Sequence, residues 1–375
     1  MSAGNTGPSP DQPAQPGGSN SPSPYAPPSP YAAPAPSPFW PSPHGAPPAA
    51  GPHGPGPDEG GGRIPAHQIA PYAVSAVLLM VFAGGVIGWI VDGLRNSDSG
   101  VGDLLQALVD PLHARDAQLL TPYEWAFALA LLTVAVLALC QRRVARGGAL
   151  LLAFLLLGIC LRQAVGSIDS DYRKDFEHPD YGAWMLATYG IGLAIAVTVL
   201  ILMLQAREQS GRTPRTLTPP PYRLAGVLLV AIGVVQAAWV VDRQWQMDDG
   251  NVQPFHDYLR ELVDPSVYYS PLSLNSGFAF YEAALIVSLV VVGVLALLGR
   301  RVARGAGLTL LAVAAYLQAR VVTLRFQLGN WDAYFDSVRG ILDVVTIVFI
   351  SVTILLAAVA LVGAGRLHRD VRSDW

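Results

Sequence analysis

Seven ionisable residues stand inside or at the ends of long apolar runs: Asp92, Glu124, Arg162, Asp242, Glu282, Arg320 and Asp343. A charge in hydrocarbon is costly, so such side chains usually face a protein interior or a watery cavity and pair with each other. Two Glu–Arg sets recur at one spacing. Glu124 lies 17 residues before Gln141, and Arg162 lies 14 residues after Gly148. On helices rising 1.5 Å per residue these stand roughly 25 Å and 21 Å above the connector between them. Glu282 and Arg320 repeat the spacing 158 residues later. The expected contacts are Glu124–Arg162 and Glu282–Arg320.

Two chemistries suit such pairs. One is an ion pair that sets helix register, its arginine reaching toward the interface. The other is an outward-facing polar vestibule, with Asp92, Asp242 and Asp343 adding negative potential. Asp343 has no acidic counterpart, because Met185 occupies the position 158 residues earlier. It is the first residue to test for a role beyond support.

Signals for reactive chemistry are missing elsewhere. The two cysteines, Cys140 and Cys160, have no metal-ligand spacing with histidine. No Walker-type phosphate loop and no serine or cysteine nucleophile motif occurs. No histidine lies deep in an apolar run, which removes the usual haem ligation. The acidic run Ser167–Asp180 lacks an EF-hand pattern and reads as a solvated loop. No enzyme activity, cofactor, metal site or nucleic-acid partner is expected.

The elements that must position these charges are apolar helices. A helix needs about 20 mostly apolar residues to cross a bilayer. Eight runs meet or approach this, near 71–92, 123–140, 149–166, 183–205, 223–242, 277–298, 306–323 and 341–365. The fold class expected is an all-α integral membrane protein. Arginine sets the orientation. Connectors 141–148, 206–223 and 299–305, with the tail 366–375, hold thirteen arginines against three acids. The connectors of the other side hold eight basic residues against sixteen acids. Cytoplasmic loops collect Lys and Arg. Arg142, Arg143, Arg146, Arg300, Arg301 and Arg304 then anchor the cytoplasmic side, and both termini lie there.

Those six arginines belong to two copies of RRVARG, 158 residues apart. Tyr123-Glu124 matches Tyr281-Glu282, Arg162 matches Arg320, and Thr188 matches Thr346 at the same offset. Upstream the offset shortens, but Trp89-Ile90-Val91-Asp92 still parallels Trp239-Val240-Val241-Asp242. Asp103–Pro111 (DLLQALVDP) parallels Asp257–Pro265 (DYLRELVDP). Each reads as a short amphipathic helix ended by proline, lying on the outer surface or over the bundle mouth. Two parallel four-helix repeats are expected, over 71–205 and 223–365, joined by a cytoplasmic linker, 206–222. The outer-edge aromatic residues, among them Trp89, Tyr123, Trp239 and Tyr281, read as an interfacial belt.

Residues 1–66 hold twenty of the 31 prolines and one basic residue, Arg63. Such a segment cannot bury enough apolar surface to fold and favours extended polyproline II. It is expected to be a disordered cytoplasmic tail that docks a protein partner or acts as a spacer. The composition, rich in arginine with one lysine and a Pro-rich tail, is similar to that of integral membrane proteins of high-GC actinobacteria. That resemblance implies a plasma-membrane location and no activity. The functional expectation is a non-enzymatic scaffold or adaptor in the bilayer; the alternative is a transporter or small-molecule sensor with a polar site between the repeats.

Overall fold

A computed structural model describes residues 64, 68–96, 100–112, 122–177, 182–206, 220–247, 255–268, 278–329 and 331–373. The expected tail, Ile64 apart, and most of the 206–222 linker lie outside the described residues. Every described element is helical. Eight helices are long and apolar enough to cross a membrane: α1 (Ile69–Asn96), α3 (Pro122–Leu139), α4 (Val144–Gly166), α6 (Gly182–Gln205), α7 (Pro220–Met247), α9 (Phe278–Leu297), α10 (Val302–Leu328) and α12 (Val338–Ser373). Four short helices lie between them: α2 (Val101–Val109), α5 (Ser170–Asp175), α8 (Phe255–Val263) and α11 (Trp331–Phe335). A 3-10 turn, Pro265–Tyr268, follows α8.

The long helices are apolar all round. Leu79, Leu131, Leu156 and Met203 fill one core; Leu229, Leu289, Leu310 and Leu361 fill another. Yet Val81, Leu129, Phe154, Ile191, Val291 and Leu355 point outward with 50–64% of their surface exposed, apart from these cores. A soluble bundle would carry polar residues there. A lipid-facing bundle carries apolar ones, with backbone groups bonded inside each helix. The eight helices therefore fit a multi-pass membrane protein.

Each set of four closes as a ring. Helix α1 packs on α3 and α6, and α4 packs on α3 and α6; α7 packs on α9 and α12, and α10 packs on α9 and α12. The rings meet through α4 and α10, with α3 also touching α10.

The RRVARG connectors are shorter than the apolar runs implied. Helices α4 and α10 begin at Val144 and Val302, inside the motif. Only a tight turn separates each from the preceding span. Gln141 and Gly299 hold left-handed backbone, with φ of 56° and 69°. Arg142 and Arg300 then donate backbone N–H groups to Leu137 and Leu295. Because the motif is helical, its glycines meet. A Cβ on Gly147 would lie 2.2 Å from the Val302 carbonyl oxygen, and one on Gly305 would lie 2.0 Å from that of Val144. Only hydrogen fits between the two backbones, so helices α4 and α10 cross at the motif itself. Arg146 and Arg304 turn away from this crossing. Their Nε groups donate to the carbonyls of Met203, at 2.9 Å, and Leu361, at 3.2 Å.

Candidate functional site

The charged residues gather at the opposite end of the bundle, where α2 and α8 lie. These short helices act as lids, and each presents unfilled carbonyls at its C-terminus. Arg320 of α10 donates Nη1 to the carbonyls of Ala107 and Leu108 in α2. Tyr316 adds its hydroxyl to Leu108 at 3.0 Å. Arg162 of α4 donates Nε to the carbonyl of Glu261 in α8, at 3.0 Å. Both arginines are buried. A cation at a helix C-terminus also opposes the negative end of the helix dipole.

The lids are exchanged between the rings. Helix α2 follows α1 but is held by α10; α8 follows α7 but is held by α4. Ala107 and Glu261 occupy matching places in DLLQALVDP and DYLRELVDP. The turns after the lids match too. Asp110 Oδ1 accepts from the N–H of Leu112 at 2.9 Å, and Asp264 Oδ1 from that of Ser266 at 3.0 Å.

This corrects the expected pairing of Glu282 with Arg320. Arg320 serves the α2 carbonyls. Glu282 receives both terminal nitrogens of Arg243, at 3.2 Å and 3.4 Å. Glu124 accepts the Tyr281 hydroxyl at 3.1 Å. The rings of Tyr123 and Tyr281 stack at 5.8 Å, one from each half. The Arg162 guanidinium lies 5.5 Å from the centre of the Phe280 ring. Glu124, Tyr123, Tyr281, Arg162 and Phe280 therefore mark the seam between halves, and the Arg243–Glu282 pair lies on the second half's side of it, in the electrostatic neighbourhood of Tyr123.

Asp242 and Asp343 lie apart from this seam. Asp343 pairs with Arg325 at 2.7 Å, and Arg325 also bonds the Tyr334 hydroxyl. Asp242 pairs with Arg339 at 3.1 Å, and Asp92 is exposed at the end of α1. Two aromatic residues do more than line an interface. Trp89 donates Nε1 to Thr188 at 3.1 Å, and Trp239 to Thr346 at 3.0 Å, tying the first and last spans of each ring.

The lids contribute a residue that span-based reasoning passed over. Glu261 is buried beneath α8, and its position in the first lid is held by Ala107. Burial raises the proton affinity of the Glu261 carboxyl, against the pull of Arg162 and a hydrogen bond from the Ala279 backbone. Tyr258 beside it is pushed up to about 12, chiefly by burial. For Asp264, burial acts upward but is outweighed by hydrogen bonds from Ser266 and by Arg260, which hold the carboxyl below its ordinary range. The usable sequence signal for Glu261 was its place on the inner face of an otherwise amphipathic helix. For Arg243 and Arg325 it was their position within one turn of a span end.

The arrangement holds helices, seals helix ends and places tyrosine and carboxylate groups on the seam. Among the described residues no three His, Cys, Asp or Glu side chains converge as a metal site requires. Comparison with protein-family models, curated proteins and solved structures finds no match for this chain.

Proposed function

We propose that the chain is a multi-pass plasma-membrane scaffold, non-enzymatic, whose Pro-rich tail docks a cytoplasmic protein. Its membrane region is two parallel four-helix repeats, and both termini lie in the cytoplasm. The repeat is supported by contacts that recur at matching positions: Arg146 to Met203 and Arg304 to Leu361, Trp89 to Thr188 and Trp239 to Thr346. The orientation rests on the thirteen arginines and three acids of the RRVARG side. The tail's role rests on its composition.

One observation carries the scaffold reading: the halves are fastened at both ends. At one end α4 and α10 touch backbone to backbone through Gly147 and Gly305. At the other, each half grips the lid of its neighbour through Arg162 or Arg320. Transport by rocking of repeats needs the halves to part around a central site. A doubly fastened pair suits a platform.

The Tyr123–Tyr281 stack with Glu124 and Glu282 favours a second reading, a sensor or transporter with a small-molecule site on the seam. Native mass spectrometry of gently solubilised protein separates the two, full length beside a form lacking residues 1–66. A stoichiometric protein partner lost with the tail supports the scaffold. A small molecule held by both forms, and lost in Glu282→Gln, supports the seam site and counts against the scaffold.

A further inference from the structure

The two lids carry an apolar stripe left exposed among the described residues. On α2 it is Val101, Leu105 and Val109; on α8 it is Phe255, Leu259 and Val263. These residues are between 48% and 66% exposed. They occupy the same three places in the two matching segments, so the feature occurs twice.

Successive residues of a helix turn by about 100°. Each lid therefore has three flanks. Leu104 and Ala107 on α2, with Tyr258 and Glu261 on α8, are buried against the long helices. The exposed stripe is next around the helix. Beyond it lies a polar flank, Asp103 and Gln106 on α2, with His256, Asp257 and Arg260 on α8. A lid over a water-filled mouth would need only a buried flank and a polar one. A third, apolar flank between them needs a third medium.

Height supplies that medium. Arg162 and Arg320 each stand 18 residues beyond the first residue of their helix. That places the gripped lid ends roughly 27 Å from the arginine connectors. The hydrocarbon layer is about 30 Å thick. The lids thus lie level with its far boundary, not above it. At that level the long helices themselves expose Leu161, Val165 and Val321. The lid stripes continue that apolar belt.

We infer that α2 and α8 are interfacial helices whose exposed stripes enter the acyl-chain boundary of the leaflet at the lid end. Each lies along the line where protein, lipid and water meet. The occupant of the stripe is lipid, held by apolar contact without a particular headgroup. This inference rests on the eight helices crossing a bilayer and is independent of the scaffold reading.

The test uses the full-length chain with Cys140→Ser, leaving Cys160 buried. A single cysteine at Leu105 or Leu259 is labelled with an environment-sensitive fluorophore. The protein is then placed in phosphatidylethanolamine–phosphatidylglycerol vesicles carrying lipid spin-labelled near the headgroup. Leu161→Cys is the lipid-facing standard and His256→Cys the polar-flank standard. Expected are blue-shifted emission and a loss of intensity to the lipid-borne quencher matching Leu161→Cys. Quenching by aqueous iodide, as at His256→Cys, overturns the inference in favour of open solvent. Protection from both quenchers overturns it in favour of a protein partner or a second copy. Photoreactive acyl-chain lipid on the unmutated chain gives the same decision without substitution. Adducts on 101–109 and 255–263 support lipid contact; adducts confined to the long helices refute it.

Discussion

The first four spanning helices and the last four differ most where α1 meets α3 and α7 meets α9. The first seam is lined by Ala76, Ala83 and Ala135, all with no exposed surface. The second has Gly226, Gly233 and Gly293 at the corresponding places. A Cβ on Gly226 would lie 2.8 Å from the Gly293 carbonyl oxygen, and one on Gly293 would lie 2.9 Å from that of Gly226. Removing one methyl from each side lets the second pair of helices touch backbone to backbone. The same ring of four thus tolerates two separations of its first two helices. Closeness there is a local choice of side chain and not a requirement of the architecture.

Closeness between the halves is tighter still, since a Cβ on Gly147 or Gly305 would lie 2.2 Å or 2.0 Å from an opposing carbonyl oxygen, against 2.8 Å and 2.9 Å at Gly226 and Gly293. The largest effect should come from breaking it. Gly147→Leu is expected to destabilise the solubilised protein by about 3 kcal/mol or more, through overpacking against backbone. Denaturant titration in detergent micelles measures this, with Ala76→Leu as the comparison within one half.

Next come the exchanged lids. Arg320→Met leaves the Ala107 and Leu108 carbonyls short of a partner, a loss of about 1–3 kcal/mol. Because the grip crosses between halves, hydrogen exchange should rise in α2 and stay unchanged in α8. Arg162→Met should do the reverse. Exchange rising in both lids from either substitution would mean that the lids open as one.

Smaller is the methyl difference between seams. Gly293→Ala should cost about 1–3 kcal/mol, the usual price of overpacking. Ala135→Gly should narrow the first seam at a cost of about 1 kcal/mol or less from helix propensity.

The lids also differ in titration, because Glu261 is matched by Ala107. Burial raises the proton affinity of Glu261 in the folded lid above its unfolded value. Its contribution to stability is therefore full below the ordinary carboxylate range and is lost as pH rises through the raised value. Protection of α8 against exchange, corrected for the intrinsic rate, should fall across that window. Protection of α2 should show no such fall, and Glu261→Gln should flatten the α8 profile.

The smallest effect concerns the tight turns. Gln141 holds a left-handed conformation that Gly299 adopts without a side-chain penalty. Gln141→Gly should stabilise by up to about 1 kcal/mol, and Gly299→Gln should cost a similar amount. Thermal unfolding of the two variants tests the pair.

The eight helices were legible because each is a long apolar run, and a bilayer permits little else of that kind. The lids were legible from leucine spacing and the closing Asp-Pro. The partners of the charges were not. Distance along a helix gives the height of Glu282 and Arg320 but not the direction each side chain takes around its axis. Nor did side-chain matching reveal that backbone carbonyls of a lid would claim Arg162 and Arg320. The helical start at Val144 was hidden because arginines interrupt the apolar run that follows. Asp343 was singled out for its asymmetry, and its partner Arg325 is likewise confined to the second half, where the first has Ser167.

The crossing of Gly147 over Gly305 has a consequence for how this chain can vary. What obstructs a side chain at either position is a carbonyl of the opposite helix. No codon change removes a carbonyl, so a mutation at one glycine has no direct compensating partner at the other. Most packing contacts drift in pairs, a large residue gained on one side and lost on the other. Here that route is closed, and the two sites should behave under selection as a single invariant character.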